Sequence, residues 1–415
     1  MKTWVTYLAA LAMGFATALL FRDLNGAFGI FQSVFYFLVN LSIALFIPIV
    51  LITFSAGVAS LKKDSAGSKM SWGIIGWAIV TSVLLPLVAV GVYKLFPTPF
   101  PVSSSAGTDA STIENLVTNK SMAALSQLYP ANPFMLVSYA STFLLPVVII
   151  AWILGVSLKP SSDVIRPAYT VMNSFAEVMY RITRTVATIG SAFAYFAATY
   201  FFLYLYREKT VLVSGRFLAI MACSTLLVLL IIIPFIYALI TGFRKNPYSV
   251  IGNSISSLSL GLTTGNIIAA DLVGESISRQ NGGAQKRTVS VATPIFTIIG
   301  RGGTGFISTL AILMLIQATT GSEVSSSIAM VVAAMTMIAT FSASAFIGYE
   351  VIAIVYITLS MLQINTYGAE MTIVALLPLL SGLGTMLDSA INNLGTVIAS
   401  FFIGTDIKVP YSETI

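Results

Sequence analysis

Long apolar runs separated by short polar joints set the rhythm of this chain. Runs long enough to cross a bilayer occur near 3–21, 29–60, 71–95, 134–157, 172–205, 217–243, 288–318 and 369–403. A helix of about 20 residues spans the hydrocarbon core, so the longest runs predict tilt or extra turns beyond it. Two further apolar stretches, 250–278 and 326–361, are interrupted midway by small polar residues, "LTTGNIIAADL" and "TFSASAFIGYE". Gly, Ser and Thr make poor continuous helix. Each stretch therefore reads as two short helices meeting at a non-helical tip, the alternative being a loose spanning helix with small packing residues. A pair of interrupted apolar segments points to a transporter's binding site.

The distribution of charge tests that topology. With the N-terminus inside, 250–278 returning to the inside and 326–361 to the outside, Lys2, Lys62, Lys63, Lys69, Lys159, Arg166, Arg244, Lys245, Arg279, Lys286, Arg287 and Lys408 fall inside. Arg22, Lys94, Lys120, Arg207, Lys209 and Arg216 fall outside. The excess lies on the cytoplasmic side, as insertion favours; if 250–278 crossed fully, the bias would shrink. Both termini are then cytoplasmic in a multi-pass protein of the inner or plasma membrane, and the long polar connection from about 97 to 132 lies outside. The first run allows a signal-peptide reading, with small residues near Ala16, but it is too long for an ordinary signal core, so the first helix is read as retained.

Composition narrows the chemistry. Of 415 residues, 57% are hydrophobic and 9% charged, against about 25% charged in soluble proteins. The net charge of +6 reflects orientation, and no basic cluster alternates with aromatics as a nucleic-acid surface would require. Histidine is absent and Cys223 is the only cysteine, which excludes His-based metal sites, Ser-His triads and an intrachain disulfide. No G-x-S-x-G motif supports an intramembrane hydrolase. A non-enzymatic protein without a cofactor is expected, working on a small solute in the lipid bilayer.

Against this background "TIIGRGGTGFIS" (297–308) is the most informative stretch. A charged side chain at mid-bilayer costs at least about 2.5–3.5 kcal/mol, so Arg301 needs a partner and a task. Asp388 in the last apolar run is open as its counter-ion or as a proton carrier. Glu350, beside the second tip, is either a gate or proton site or a side chain reaching the outer water, the latter favoured because that hairpin opens outward. Asp271 and Glu275 follow the first tip, where Glu275 fits a solvated inner arm. Thr263, Thr264, Gly265 and Asn266 either expose backbone amides to an anion or form a tight turn. Glu177, four residues before Arg181, suggests an intrahelical pair worth about 0.2–0.5 kcal/mol, with Arg184 on the same surface.

Several segments resemble a known family. "LYPANPFMLVSYASTFLLPVVIIAWILGVSL" (128–158), "VMNSFAEVMYRITRTVATIGSAFAYF" (171–196) and "LFIPIVLITFSAGVASL" (45–61) are similar to segments of the dicarboxylate/amino acid:cation symporters, the glutamate-transporter family. The order then continues with a hairpin, a helix containing Gly-Thr, a second hairpin and a final helix bearing an Asp. The resemblance implies an all-α polytopic homotrimer. Each protomer would have eight transmembrane helices and two re-entrant helical hairpins, arranged as inverted repeats in an elevator-type transporter. Helices 1–6 would occupy residues 1–243, with helices 1, 2, 4 and 5 as scaffold and helices 3 and 6 moving with the transport core at 244–415. It implies transport of an amino acid such as glutamate or aspartate, or of a dicarboxylate, coupled to sodium or protons. An anion channel and a non-transporting protein derived from a carrier remain alternatives.

The departures from the family pattern concern its cation sites. Where the family's seventh helix carries Asn-Met-Asp-Gly-Thr, this chain reads Gly300, Arg301, Gly302, Gly303 and Thr304. After the Asp of the last helix, here Asp388, Ile391 stands where the family has Arg and Asn392 where it has Thr. Gly395 and Ala399 replace a later Asn and Asp. The usual sodium positions Gly300, Gly302, Gly395 and Ala399 thus lack ligand side chains, and hard cations need several oxygen donors. By resemblance the substrate site comprises Thr263, Thr264, Gly265, Asn266, Arg301, Thr304, Ala345, Phe346, Ile347, Gly348, Asp388 and Asn392. Asp388 and Glu350 are the candidates for proton coupling. Arg301 either grips substrate, stands in for the missing cation, or only pairs with Asp388.

Overall fold

The computed structural model describes residues 2–63, 67–101, 143–158, 161–207, 215–364, 371–404, 409 and 414. The segment of the fourth apolar run before residue 143, and the 97–132 connection beyond residue 101, lie outside the described residues. Everything regular among them is helical: α1 (Thr3–Phe21), α2 (Asn25–Lys63), α3 (Gly67–Leu95), α4 (Leu145–Ser157), α5 (Arg166–Arg207), α6 (Gly215–Leu227), α7 (Ile233–Ile240), α8 (Pro247–Asn253), α9 (Ile255–Thr264), α10 (Ile267–Gln280), α11 (Lys286–Ile299), α12 (Gly302–Thr320), α13 (Ser326–Thr340), α14 (Glu350–Met361) and α15 (Met371–Phe402). Seven of the described stretches are long and apolar enough to cross a membrane, as expected for a polytopic membrane protein.

Local sequence explains where the helices bend. Between α6 and α7 the chain widens into a π-helical turn at Val228–Ile232. Pro234 has no N–H for the carbonyl four residues back, and the Tyr248 hydroxyl supplies that Leu230 carbonyl with a bond at 3.0 Å. The run expected as a span at 288–318 lies within the apolar stretch Lys286–Thr320, long enough to cross, but its helix is broken: α11 stops at Ile299 and α12 restarts at Gly302. Three glycines within four residues make continuous helix unfavourable there. This broken segment is the centre of the bundle, with 94% of its most apolar window buried.

Both interrupted stretches form hairpins. In the first, α9 ends at Gly265, whose φ of +58° is left-handed and suits glycine. Asn266 then caps α10, its side-chain oxygen accepting from the Ile268 amide at 2.9 Å and the Ala269 amide at 3.4 Å. In the second, α13 and α14 pack together across a short 3-10 turn at Ala343–Ala345. Hairpin one lies against α15, and α12 runs between α3 and α15. On the other side α1 and α2 pack along α5. Close helix approach by small residues is the packing expected in lipid.

Two surface expectations change. Glu177 pairs with Lys286 of α11, both carboxylate oxygens lying 2.8 Å from Nζ, and not with Arg181. Glu275 is buried rather than solvated, because α10 is enclosed by α5, α11 and α15.

Candidate functional site

The site begins with the restart of the broken helix. The first turn of any helix leaves amides without internal partners, and those of α12 face Asp388. Its Oδ1 accepts from the Gly303 amide at 2.7 Å and the Thr304 amide at 3.0 Å, and its Oδ2 accepts from the Thr304 hydroxyl. Asp388 therefore caps α12 from another helix, where the helix dipole also favours a negative charge. Only a glycine allows this approach: a Cβ on Gly303 would sit 2.8 Å from the same Oδ1 and 2.3 Å from the Leu387 Cβ.

Arg301 occupies the break itself and is 1% exposed. Its Nη1 lies 3.5 Å from Oε1 of Glu350, on hairpin two, and 3.9 Å from Oδ2 of Asp388. None of its three side-chain nitrogens makes a hydrogen bond with a described residue. The guanidinium is thus a charge set between two carboxylates, without the paired geometry of a bidentate clamp. Glu350 stands in the first turn of α14, a second helix N-terminus that tolerates an anion. This corrects the expectation that Glu350 reaches outer water: it is 2% exposed, drawn inward by Arg301.

A third carboxylate completes the cluster. Asp271 of α10 accepts from the Thr297 hydroxyl at 2.6 Å and from the Asn392 amide at 2.9 Å. The other end of Asn392 presses on the break, since a Cβ on Gly300 would lie 2.3 Å from its Oδ1. Four elements meet here through polar side chains: hairpin one, the broken helix, hairpin two and α15. Beside this cluster a buried seam ties hairpin one to α15. Asn393 donates to the Ser257 hydroxyl at 2.8 Å and accepts from the Ser278 hydroxyl at 3.0 Å.

A cavity of about 350 Å³ opens where the hairpin tips come together. Thr263, Thr264, Gly265 and Asn266 form one side and Ile347, Gly348 and Tyr349 another, closed by Tyr36 and Asn40 of α2, Tyr200 of α5 and Ser381 of α15. Of the residues expected at a substrate site, the two tips therefore converge, with Phe346 buried behind and Ala345 part-buried in the turn. Arg301, Thr304, Asp388 and Asn392 converge on one another instead and are not among the lining residues. The first tip is a tight turn, with the Thr264 hydroxyl accepting from the Asn266 amide at 3.2 Å. The Ile268 and Ala269 amides of α10 are taken by the Asn266 side chain itself, so these two are not offered to an anion.

Sequence reasoning missed Tyr36, Asn40, Tyr200 and Ser381, which belong to helices distant in the chain. The signal for Asn40 was a lone polar amide inside "FYFLVNLSIALF"; the others carry none.

At the sodium positions of the resembled family the neighbours close directly on the backbone. A Cβ on Gly302 would lie 2.9 Å from the Thr81 carbonyl oxygen, so the start of α12 packs directly on α3. A Cβ on Gly395 would lie 2.5 Å from both Phe296 Cζ and Trp77 Cδ1. Trp77 is anchored there by donating its Nε1–H to the Ile391 carbonyl at 2.8 Å. Ala399 is fully buried. No cluster of three acidic, His or Cys side chains suited to a metal occurs among the described residues. The side chains at these positions do not fit a sodium ligand set, which needs converging oxygens.

Among curated proteins, none matches the chain. The sodium:dicarboxylate symporter family, however, matches residues 3–405, nearly the whole length. A transporter family suits the multi-pass apolar helices of the fold. The chain belongs to the sodium:dicarboxylate symporter family and is a symporter-type integral membrane transporter of small molecules.

Proposed function

We propose that this transporter carries a small zwitterionic or anionic solute, amino acids ahead of dicarboxylates, by alternating access at the cavity between the hairpin tips. The observation that carries the reading is the convergence of Thr263–Asn266 with Ile347–Tyr349 around about 350 Å³, a volume in the range of small-molecule sites. The lining offers hydroxyls and amides from Asn40, Thr263, Thr264, Asn266 and Ser381 but no charged side chain. Glu350 follows the lining residue Tyr349 in the chain, and with it are buried Arg301 and two further carboxylates, Asp271 and Asp388. That balance disfavours a dianion and accepts an ammonium group, which supports an amino acid over a dicarboxylate.

The moving part in this reading is 244–415 together with the third and sixth transmembrane helices of the resemblance, carried against a scaffold of the first, second, fourth and fifth in a homotrimer. The test is uptake of labelled aspartate, glutamate, serine and succinate into proteoliposomes holding the purified full-length protein. Saturable, concentrative uptake of one amino acid is expected, lost when Ser381→Leu fills the cavity. Non-saturable flux that follows the gradient would refute the carrier and indicate a channel. Absence of any uptake would indicate a protein that no longer transports.

A further inference from the structure

We infer that Arg301 is a tethered cation that holds hairpin two shut against α15, so that closing this hairpin needs no soluble sodium. The inference rests on the carrier reading and deepens it. Its basis is geometric. The guanidinium lies between a carboxylate on the hairpin, Glu350 at 3.5 Å, and one on the last helix, Asp388 at 3.9 Å. Because it sits at the break between α11 and α12, it belongs to neither of the elements it joins and bridges them as an ion would.

Charge bookkeeping supports the substitution. Without Arg301, the carboxylates of Asp271, Glu350 and Asp388 would share one buried region with only helix termini and hydrogen bonds to offset them. A helix N-terminus contributes about half a positive charge, and two of them, α12 at Asp388 and α14 at Glu350, cannot neutralise three carboxylates. With the full charge of Arg301 added, about two positive charges face three carboxylates, so the side chain removes half of the remaining deficit. That none of the three guanidinium nitrogens makes a hydrogen bond with a described residue agrees with a role as a charge rather than as a hydrogen-bonding clamp. Meanwhile the places that would receive sodium are filled by α3 backbone at Gly302 and by Trp77 and Phe296 at Gly395. The family's soluble cation is replaced here by a covalently attached one.

The test reads the hairpin directly and does not use transport. Cys223, the only cysteine, is changed to serine, and Ser344→Cys places a thiol in the buried turn of hairpin two. Maleimide labelling of the purified full-length protein is then timed in sodium chloride and in choline chloride of equal ionic strength. With Arg301 intact the rate is expected to be slow and the same in both salts. In the Arg301→Ala background it is expected to rise about tenfold or more, since removing one partner exposes uncompensated buried charge. Millimolar guanidinium, or sodium, should slow it again by filling the vacated place. A purely structural arginine would give no such rescue. Slower labelling in sodium with Arg301 intact would overturn the inference, as would an Arg301→Ala protein that labels like its parent or is indifferent to every cation. If Arg301→Ala does not fold, the sodium comparison in the intact background still decides. Sodium-dependent closure with amino-acid uptake would sink this inference alone; sodium-independent closure without uptake would sink the carrier reading alone.

Discussion

Removing the Asp388 carboxylate should be the most damaging single change in the transport core. Asp388→Ala deletes the acceptor for two backbone amides of α12, at 2.7 and 3.0 Å, and for the Thr304 hydroxyl. It also leaves Arg301 with Glu350 as its remaining ion-pair partner among the described residues. A lost helix cap costs about 0.5–2 kcal/mol, and breaking a buried ion pair costs about 3–5 kcal/mol. The two overlap because they share one carboxylate, so about 3–5 kcal/mol in total is expected. Asp388→Asn retains an oxygen for the two amides and loses only the charge. It should recover about 1–2 kcal/mol of that loss, a factor of roughly 5–30 in the unfolding equilibrium. The assay is unfolding in mixed micelles titrated with denaturing detergent, followed by tryptophan fluorescence. The expected order of stability is wild type, then Asp388→Asn, then Asp388→Ala. Equal damage from the two variants would refute the capping role, and a wild-type-like Asp388→Ala would refute the whole assignment.

Other substitutions probe neighbouring features. Gly395→Asn, which restores the ligand type of the resembled family, should destabilise by about 1–3 kcal/mol through overpacking. Its thermal midpoint should recover when Phe296→Ala is added; a neutral Gly395→Asn would show an open site there. Gly265→Ala places a side chain at φ +58° and should cost about 1–2 kcal/mol, seen as a lower thermal midpoint with uptake reduced further. Lys286→Ala removes a half-exposed pair with Glu177 and should shift stability by less than about 1 kcal/mol, and less still at high salt, measured by the same midpoint.

Much of this architecture was legible in the chain because hydropathy is a local property. The spanning runs, the interruption at Thr263–Asn266 and the second one before Glu350 need only side-chain polarity and the poor helix propensity of Gly, Ser and Thr. The cost of burying Arg301 was equally readable, and it correctly demanded a partner. What the sequence could not resolve was direction and distance. Glu350 and Glu275 looked like solvent-facing residues because hairpin orientation was the only guide, and burial depends on neighbours far along the chain. The span expected at 288–318 is kept, but it carries a break at 300–301, where the Asp388 carboxylate of a distant helix satisfies amides that the break would otherwise leave exposed. Tertiary structure also separated the candidate site residues into those that line a cavity at the hairpin tips and those that gather around Arg301. Residue type announces that a charge must be compensated; only packing determines which group compensates it, since electrostatic and steric partners are chosen by proximity in space.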